Sequence, residues 1–123
     1  MLPDQGEVLI MAVLHILELT CLEKEDPKPS PRNPDEASLK INGTRVSGPH
    51  SMIDGKVLPL NVLHGFTGTV AVTLIEEDDA PNPDDLLGTV VIPDTLAGLA
   101  DEIGVFHAAL PRAHYHMRYH VDA

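Results

Sequence analysis

Apolar and polar positions alternate along this chain in short runs broken by turn residues, which is the period-2 pattern of strands. Ala37-Ser38-Leu39-Lys40-Ile41 alternates cleanly. Asn42-Gly43 then supplies a dipeptide suited to a two-residue hairpin turn, and 44–46 would return antiparallel. Residues 67–75 place Val70, Val72 and Leu74 on one face. Residues 114–121 set Tyr115, Met117, Tyr119 and Val121 against His114, His116, Arg118 and His120 on the opposite face. Further strands are predicted at 57–62, at 87–92 with Pro93 as the stop, and at 105–110. The longest apolar run, 7–21, carries Val, Leu and Ile on both faces. A helix fits it, but a long first strand covered on both sides over part of its length is the preferred reading. Residues 48–55 read as a loop, Gly65-Phe66-Thr67-Gly68 as a turn, and 94–103 as holding at most one short helix, with Asp94 as N-cap and Gly104 beyond its end. Pro27, Pro29, Pro31 and Pro34 make 23–35 a stiff surface loop. About eight strands at this spacing predict an all-β antiparallel sandwich, in one domain over 1–123.

Composition narrows the function more than the fold. Nineteen acids against eight Lys plus Arg leave a formal net charge of -11, which opposes binding to a nucleic-acid backbone and to an anionic membrane. The complement is positive: a metal ion or a basic partner. With no Trp, two Phe and two Tyr, the core falls to Val, Leu, Ile and Ala, and little aromatic surface is left for stacking. The single cysteine, Cys21, sits among apolar neighbours and reads as a buried thiol; it excludes an internal disulfide and a multi-Cys zinc site. Residues 8–17 are preceded by Asp4 and Glu7 rather than by basic residues, and fall short of the roughly 20 needed to span a bilayer. A soluble, cytoplasmic chain without an export signal of its own is expected.

The densest chemistry is an acidic loop, 76–85, which holds Glu76, Glu77, Asp78, Asp79, Asp84 and Asp85 and contains no basic residue. Carboxylates so close repel, and either solvent or a cation must offset the cost. Calcium suits them, since it accepts many oxygen ligands in irregular geometry. An EF-hand is excluded, because no Gly follows at the sixth position from Asp78 or Asp79 and no Glu at the twelfth. Ligands must therefore come from more than one loop, and Glu23, Glu25, Asp26, Asp35 and Glu36 form a second acidic segment.

These residues resemble a known family, the C-two (C2) domains, calcium- and phospholipid-binding β-sandwiches found in protein kinase C and synaptotagmin. Leu74-Ile75-Glu76-Glu77-Asp78 looks like the family's strand-ending acidic motif, and Asp84-Asp85-Leu86-Leu87-Gly88 like the acidic residue before an aliphatic pair and Gly. Asp26 and the Asp35-Glu36 run resemble the ligands of the family's other loop. The order Cys21-Leu22-Glu23-Lys24-Glu25-Asp26, Asp35-Glu36, Leu39-Lys40-Ile41-Asn42-Gly43 is similar to stand-alone bacterial members. The resemblance implies a calcium site built from Asp26, Asp35, Glu76, Asp78, Asp84 and Asp85, with Glu36, Glu77 and Asp79 as second choices. Three departures are visible: Glu76 stands where the family has Asp, the acidic loop is one residue longer, and prolines expand the first loop.

The alternating His114, His116 and His120 form a second candidate, a zinc site completed across strands by His107, with Arg118 opposing it by charge. Catalysis lacks a signature: there is no Gly-x-Ser-x-Gly elbow and no phosphate-cradling glycine motif. The chain is accordingly expected to be a non-catalytic binding module, calcium-dependent through two acidic loops, that recognises a protein or other surface partner. The alternative is a metal-independent structural subunit of a larger assembly. Loop tips built from Ala80, Pro81, Asn82, Pro29 and Pro31 argue against insertion into a bilayer, and nothing suggests a small-molecule substrate.

Overall fold

A computed structural model describes residues 11–25, 34–77, 84–109 and 112–123. Eight strands run in chain order: β1 Ala12–Glu23, β2 Asp35–Ile41, β3 Thr44–Met52, β4 Val57–Phe66, β5 Thr69–Glu76, β6 Asp85–Pro93, β7 Glu102–Ala109 and β8 Arg112–Asp122. They form two antiparallel sheets of four, ordered β4-β1-β8-β7 and β3-β2-β5-β6. Alternation decides which side of each strand is buried. Leu14, Ile16, Leu19 and Cys21 of β1, with Tyr115 and Met117 of β8, face Leu39 of β2, Val72 and Leu74 of β5 and Leu87 and Ile92 of β6 across one continuous core. Each of the aliphatic side chains among them contributes about 1.5–3 kcal/mol by leaving water.

The hairpin at Asn42-Gly43 is as expected: both residues have positive φ, 49° and 86°, the backbone of a turn that matches the twist of the strands it joins. Elsewhere the structure corrects the sequence reading. Residues 48–55 are not a loop throughout, because β3 continues to Met52. A strand carrying Gly48 and Pro49 is tolerated since β3 lies at a sheet edge and its pairing with β2 is broken by two register shifts. Gly48 itself is required there: its φ is +105°, and a Cβ would lie 2.6 Å from the Ala37 carbonyl oxygen and from Ser38 Oγ.

The short helix near 94–103 is a single 3-10 turn, Asp94–Leu96, capped by no side chain. Asp94 instead accepts a hydrogen bond from the Gly68 amide at 2.8 Å, and Gly104 lies inside β7. Of the 65–68 turn, Gly65 and Phe66 belong to β4 and only Thr67-Gly68 turns. The first strand alternates buried with half-buried positions and shifts register between Ile16 and Glu18; its part before residue 11, the proline-rich stretch 26–33, the loop tips at 80–82 and Leu110 lie outside the described residues. No helix among the described residues is long and apolar enough to cross a membrane.

Candidate metal centre

Four chain segments bring acids to one end of the sandwich. β1 ends at Glu23 and leads to Glu25, β2 starts at Asp35, β5 ends at Glu76 and β6 starts at Asp85. Sheet register fixes their neighbourhood, because Glu76 pairs with Ala37 on one side and with Asp85 on the other. Gly88 helps to seat β6: a Cβ there would come within 3.1–3.3 Å of the backbone and Cβ of Phe106 and the amide of His107, so this position binds the edge of one sheet closely to the other.

One carboxylate oxygen from each of Glu25, Glu76 and Asp85 lies within 4.8 Å of the others. Glu76 is 7% exposed and its Oε2 accepts the Glu36 amide at 2.9 Å, an anchor that holds its carboxylate at the strand end. Glu25 has an oxygen, Oε2, that is buried with no hydrogen-bond partner among the described residues. Burial, a side-chain hydrogen bond with Asp85 and the charges of Asp85, Glu76 and Asp35 together push the Glu25 carboxyl up to about 8. The chemistry of such a cluster follows directly. Three carboxylates this close cannot all ionise cheaply, so one keeps a proton unless a cation takes the proton's place.

Asp35 is held by other contacts. It is 3% exposed, its two oxygens accept the Glu25 amide at 2.9 and 3.1 Å, and Oδ2 also accepts the Tyr115 hydroxyl at 2.6 Å. It thereby ties the segment after β1 to the core of β8. Burial raises its carboxyl above the ordinary range, with the Tyr115 and Glu25 hydrogen bonds pulling the other way. Burial likewise pushes the Cys21 thiol up to about 11, in keeping with a buried, inert cysteine.

The remaining sequence candidates separate clearly. Glu77 turns toward Ser38 and Arg45, which accounts for its lowered carboxyl, the Ser38 hydrogen bond being the larger cause. Glu36 is exposed and serves through its backbone, its amide to Glu76 and its carbonyl to the Glu77 amide at 2.8 Å. Asp84 immediately precedes β6 and is not one of the three residues of that group. Asp26, Asp78 and Asp79 lie outside the described residues. Glu25 is visible in the sequence as an acid of the second segment but is not singled out there; its alternation with Glu23 at the end of a buried strand is the only signal available.

On the outer face of β8, His114, His116 and His120 are half-buried as the alternation requires. His107 packs edge-on against His114 with ring centroids 5.3 Å apart, and His114 against His116 at 5.1 Å. His120 meets His15 of β1 instead, at 4.9 Å.

Neither a family model nor a curated protein sequence matches the chain. Solved structures do. A structure described as that of a C2 domain superposes with a TM-score of 0.54 at 12% identity, covering 92% of this chain and 98% of the other. The fold is C2-like. Human GIVD cytosolic phospholipase A2, in complex with methyl gamma-linolenyl fluorophosphonate, matches with a TM-score of 0.50 at 14% identity, over 91% of this chain but only 17% of the enzyme. A structure of the two C2 domains, A and B, of extended-synaptotagmin 2 matches at 17% identity with a TM-score of 0.45, over 95% of this chain and 43% of that one. Within the C2-like frame, Glu25, Glu76 and Asp85 stand at or just beyond strand ends at one end of the sandwich.

Proposed function

We propose that this chain is a non-catalytic binding module in which Glu25, Glu76 and Asp85 hold a calcium ion that helps to recruit a protein partner. The observation that carries the reading is the buried, unpartnered Oε2 of Glu25 beside two further carboxylates. The donor set is all oxygen, the three carboxylates converge, and Glu25 carries an oxygen without a hydrogen-bond partner, so these residues fit a hard cation. Calcium, when bound, supplies two positive charges and coordination positions beyond the three carboxylates, since it takes roughly six to eight oxygens.

The chain's own residues do the rest. Glu76 is held in place by the Glu36 amide, and Asp35 fixes the Glu25 backbone so that its side chain is presented to the cluster. Further oxygens would come from the adjoining acidic segments that carry Asp26, Asp78, Asp79 and Asp84. Coordination positions that the chain leaves open would suit a carboxylate or carbonyl of a partner protein, and an excess of eleven negative charges keeps the metal-free form from attracting anionic surfaces.

Calorimetric titration of the full chain with calcium tests this. Binding that is abolished in Glu25→Gln and Asp85→Asn supports it. No heat and no rise in melting temperature at millimolar calcium would sink it, and would leave a metal-independent interaction domain of a larger assembly as the working description.

A further inference from the structure

Outside the acidic end, one other group of side chains has the make-up of a metal site. A ring nitrogen of His15, a ring nitrogen of His120 and a carboxylate oxygen of Asp122 all lie within 4.8 Å of one another. They stand on the outer face of the β4-β1-β8-β7 sheet, where His15 and His120 are direct cross-strand partners and Asp122 follows His120 by two positions on the same face. Sheet pairing therefore sets their spacing, and no flexible loop is involved.

What distinguishes this group from a chance surface cluster is the shell around the imidazoles. A ligating histidine commonly donates its second N–H to an oxygen acceptor, which fixes the tautomer and aims the lone pair. Both rings have an oxygen beside one nitrogen, a hydrogen-bond partner for His15 and an ion-pair contact for His120. Asn61 Oδ1 on β4 lies 2.8 Å from His15 Nε2, and Asp101 Oδ1 lies 3.3 Å from His120 Nδ1. His120 Nε2 lies 3.3 Å from Asp122 Oδ2, and in a metal-bound form a proton kept on Nδ1 would leave Nε2 free to ligate. A cation between that nitrogen and that oxygen would turn their contact into two ligand bonds.

Arg118, the charge that opposes a metal on this face, is engaged elsewhere. Its guanidinium donates to Asp101 at 2.7 Å and lies 3.7 Å from Glu18. Asp101 thus lies beside His120 while its other oxygen offsets the charge of Arg118. The donor set, two imidazoles and one carboxylate, is that of borderline transition metals rather than of calcium. Three protein ligands leave a fourth tetrahedral position for water or for a side chain of a partner.

We infer that His15, His120 and Asp122 form a zinc-class transition-metal site on the sheet face, separate from the acidic end of the sandwich. The sequence pattern pointed to His107, His114 and His116 alongside His120; in the fold, His120 is the member that belongs to a group spaced to hold a metal among the described residues.

The test is calorimetric titration of the untagged full chain with zinc, supported by visible absorption on titration with cobalt(II). The expected result is one zinc per chain and cobalt bands of low-coordinate type, both lost in His15→Ala and in His120→Ala. Asn61→Ala, which touches no metal, should weaken zinc by about 10–100-fold through loss of the tautomer-fixing acceptor. Glu25→Gln should leave zinc binding unchanged, which separates this site from the calcium reading. Zinc affinity that survives His15→Ala, or that is lost in His114→Ala and His116→Ala instead, overturns the assignment, as does the absence of zinc binding to the folded native chain.

Discussion

Glu25 offers a stringent test, because its replacement should make the metal-free protein more stable. In the folded chain its carboxyl is pushed up to about 8 from an ordinary value of 4.5, by burial first and then by Asp85, Glu76 and Asp35. Between those two values the folded state binds more protons than the unfolded state. Stability of the metal-free protein therefore falls as pH rises through that window. One full proton of difference corresponds to about 1.4 kcal/mol per pH unit. Glu25 interacts closely with Asp85 and retains some solvent contact, so the total loss expected between pH 5 and pH 8 is a smaller ~1–3 kcal/mol. Glu25→Gln resembles the protonated acid in shape and cannot ionise. Urea unfolding with a chelator present, at half-unit steps across that range, should give a flatter profile for the variant. The two proteins should agree near pH 5, and the variant should lead by ~1–3 kcal/mol near pH 8. The other shifted acids lie outside the comparison: Asp35 is common to both proteins, and Glu77, whose carboxyl is lowered, costs stability only as pH falls below about 4.5. Parallel profiles, or a variant destabilised at pH 8, would refute the reasoning.

Four further outcomes follow from the same geometry. Calcium binding at pH 7 should release close to one proton, read from the dependence of titration heat on buffer ionisation enthalpy, and apparent affinity should rise with pH up to about 8. Tyr115→Phe removes the hydroxyl donated to buried Asp35 and should cost about 1–3 kcal/mol by chemical denaturation, without touching the three clustered carboxylates. Cys21 should resist thiol reagents in the native protein at pH 8 and react once denatured, since burial pushes its thiol to about 11. Gly48→Ala should lower stability by about 1–3 kcal/mol in the same denaturation assay, because φ is +105° and the new methyl would meet Ala37 and Ser38 at 2.6 Å.

The legible parts of the sequence were those governed by local rules. Alternation at Val70, Val72 and Leu74, and at Tyr115, Met117, Tyr119 and Val121, placed two core strands on their correct faces. Asn42-Gly43 marked its hairpin because that turn needs φ above zero at both residues. The boundaries were harder to find where pairing overrides propensity. Gly48 and Pro49 looked like a loop, yet an edge strand with register shifts accommodates them. Gly104, read as a helix stop, lies instead where a Cβ would approach the Val90 methyl groups at 3.2 Å.

At the acidic end the sequence identified the two segments but not the division of labour within them. Which acid joins the three-carboxylate group and which is tied up by other contacts depends on partners distant in sequence, such as Tyr115 for Asp35 and Arg45 for Glu77. The same holds for the histidines. Spacing along β8 is visible in the sequence, whereas the opposition of His120 to His15 is a property of how β1 pairs with β8.

The central claim is that the carboxylates of Glu25, Glu76 and Asp85 are held together to bind calcium. The most direct measurement is a calcium titration of the native full chain by calorimetry, repeated on Glu25→Gln. The account predicts saturable binding with proton release in the native chain and none in the variant. Equal binding by both proteins, or binding by neither, would contradict it.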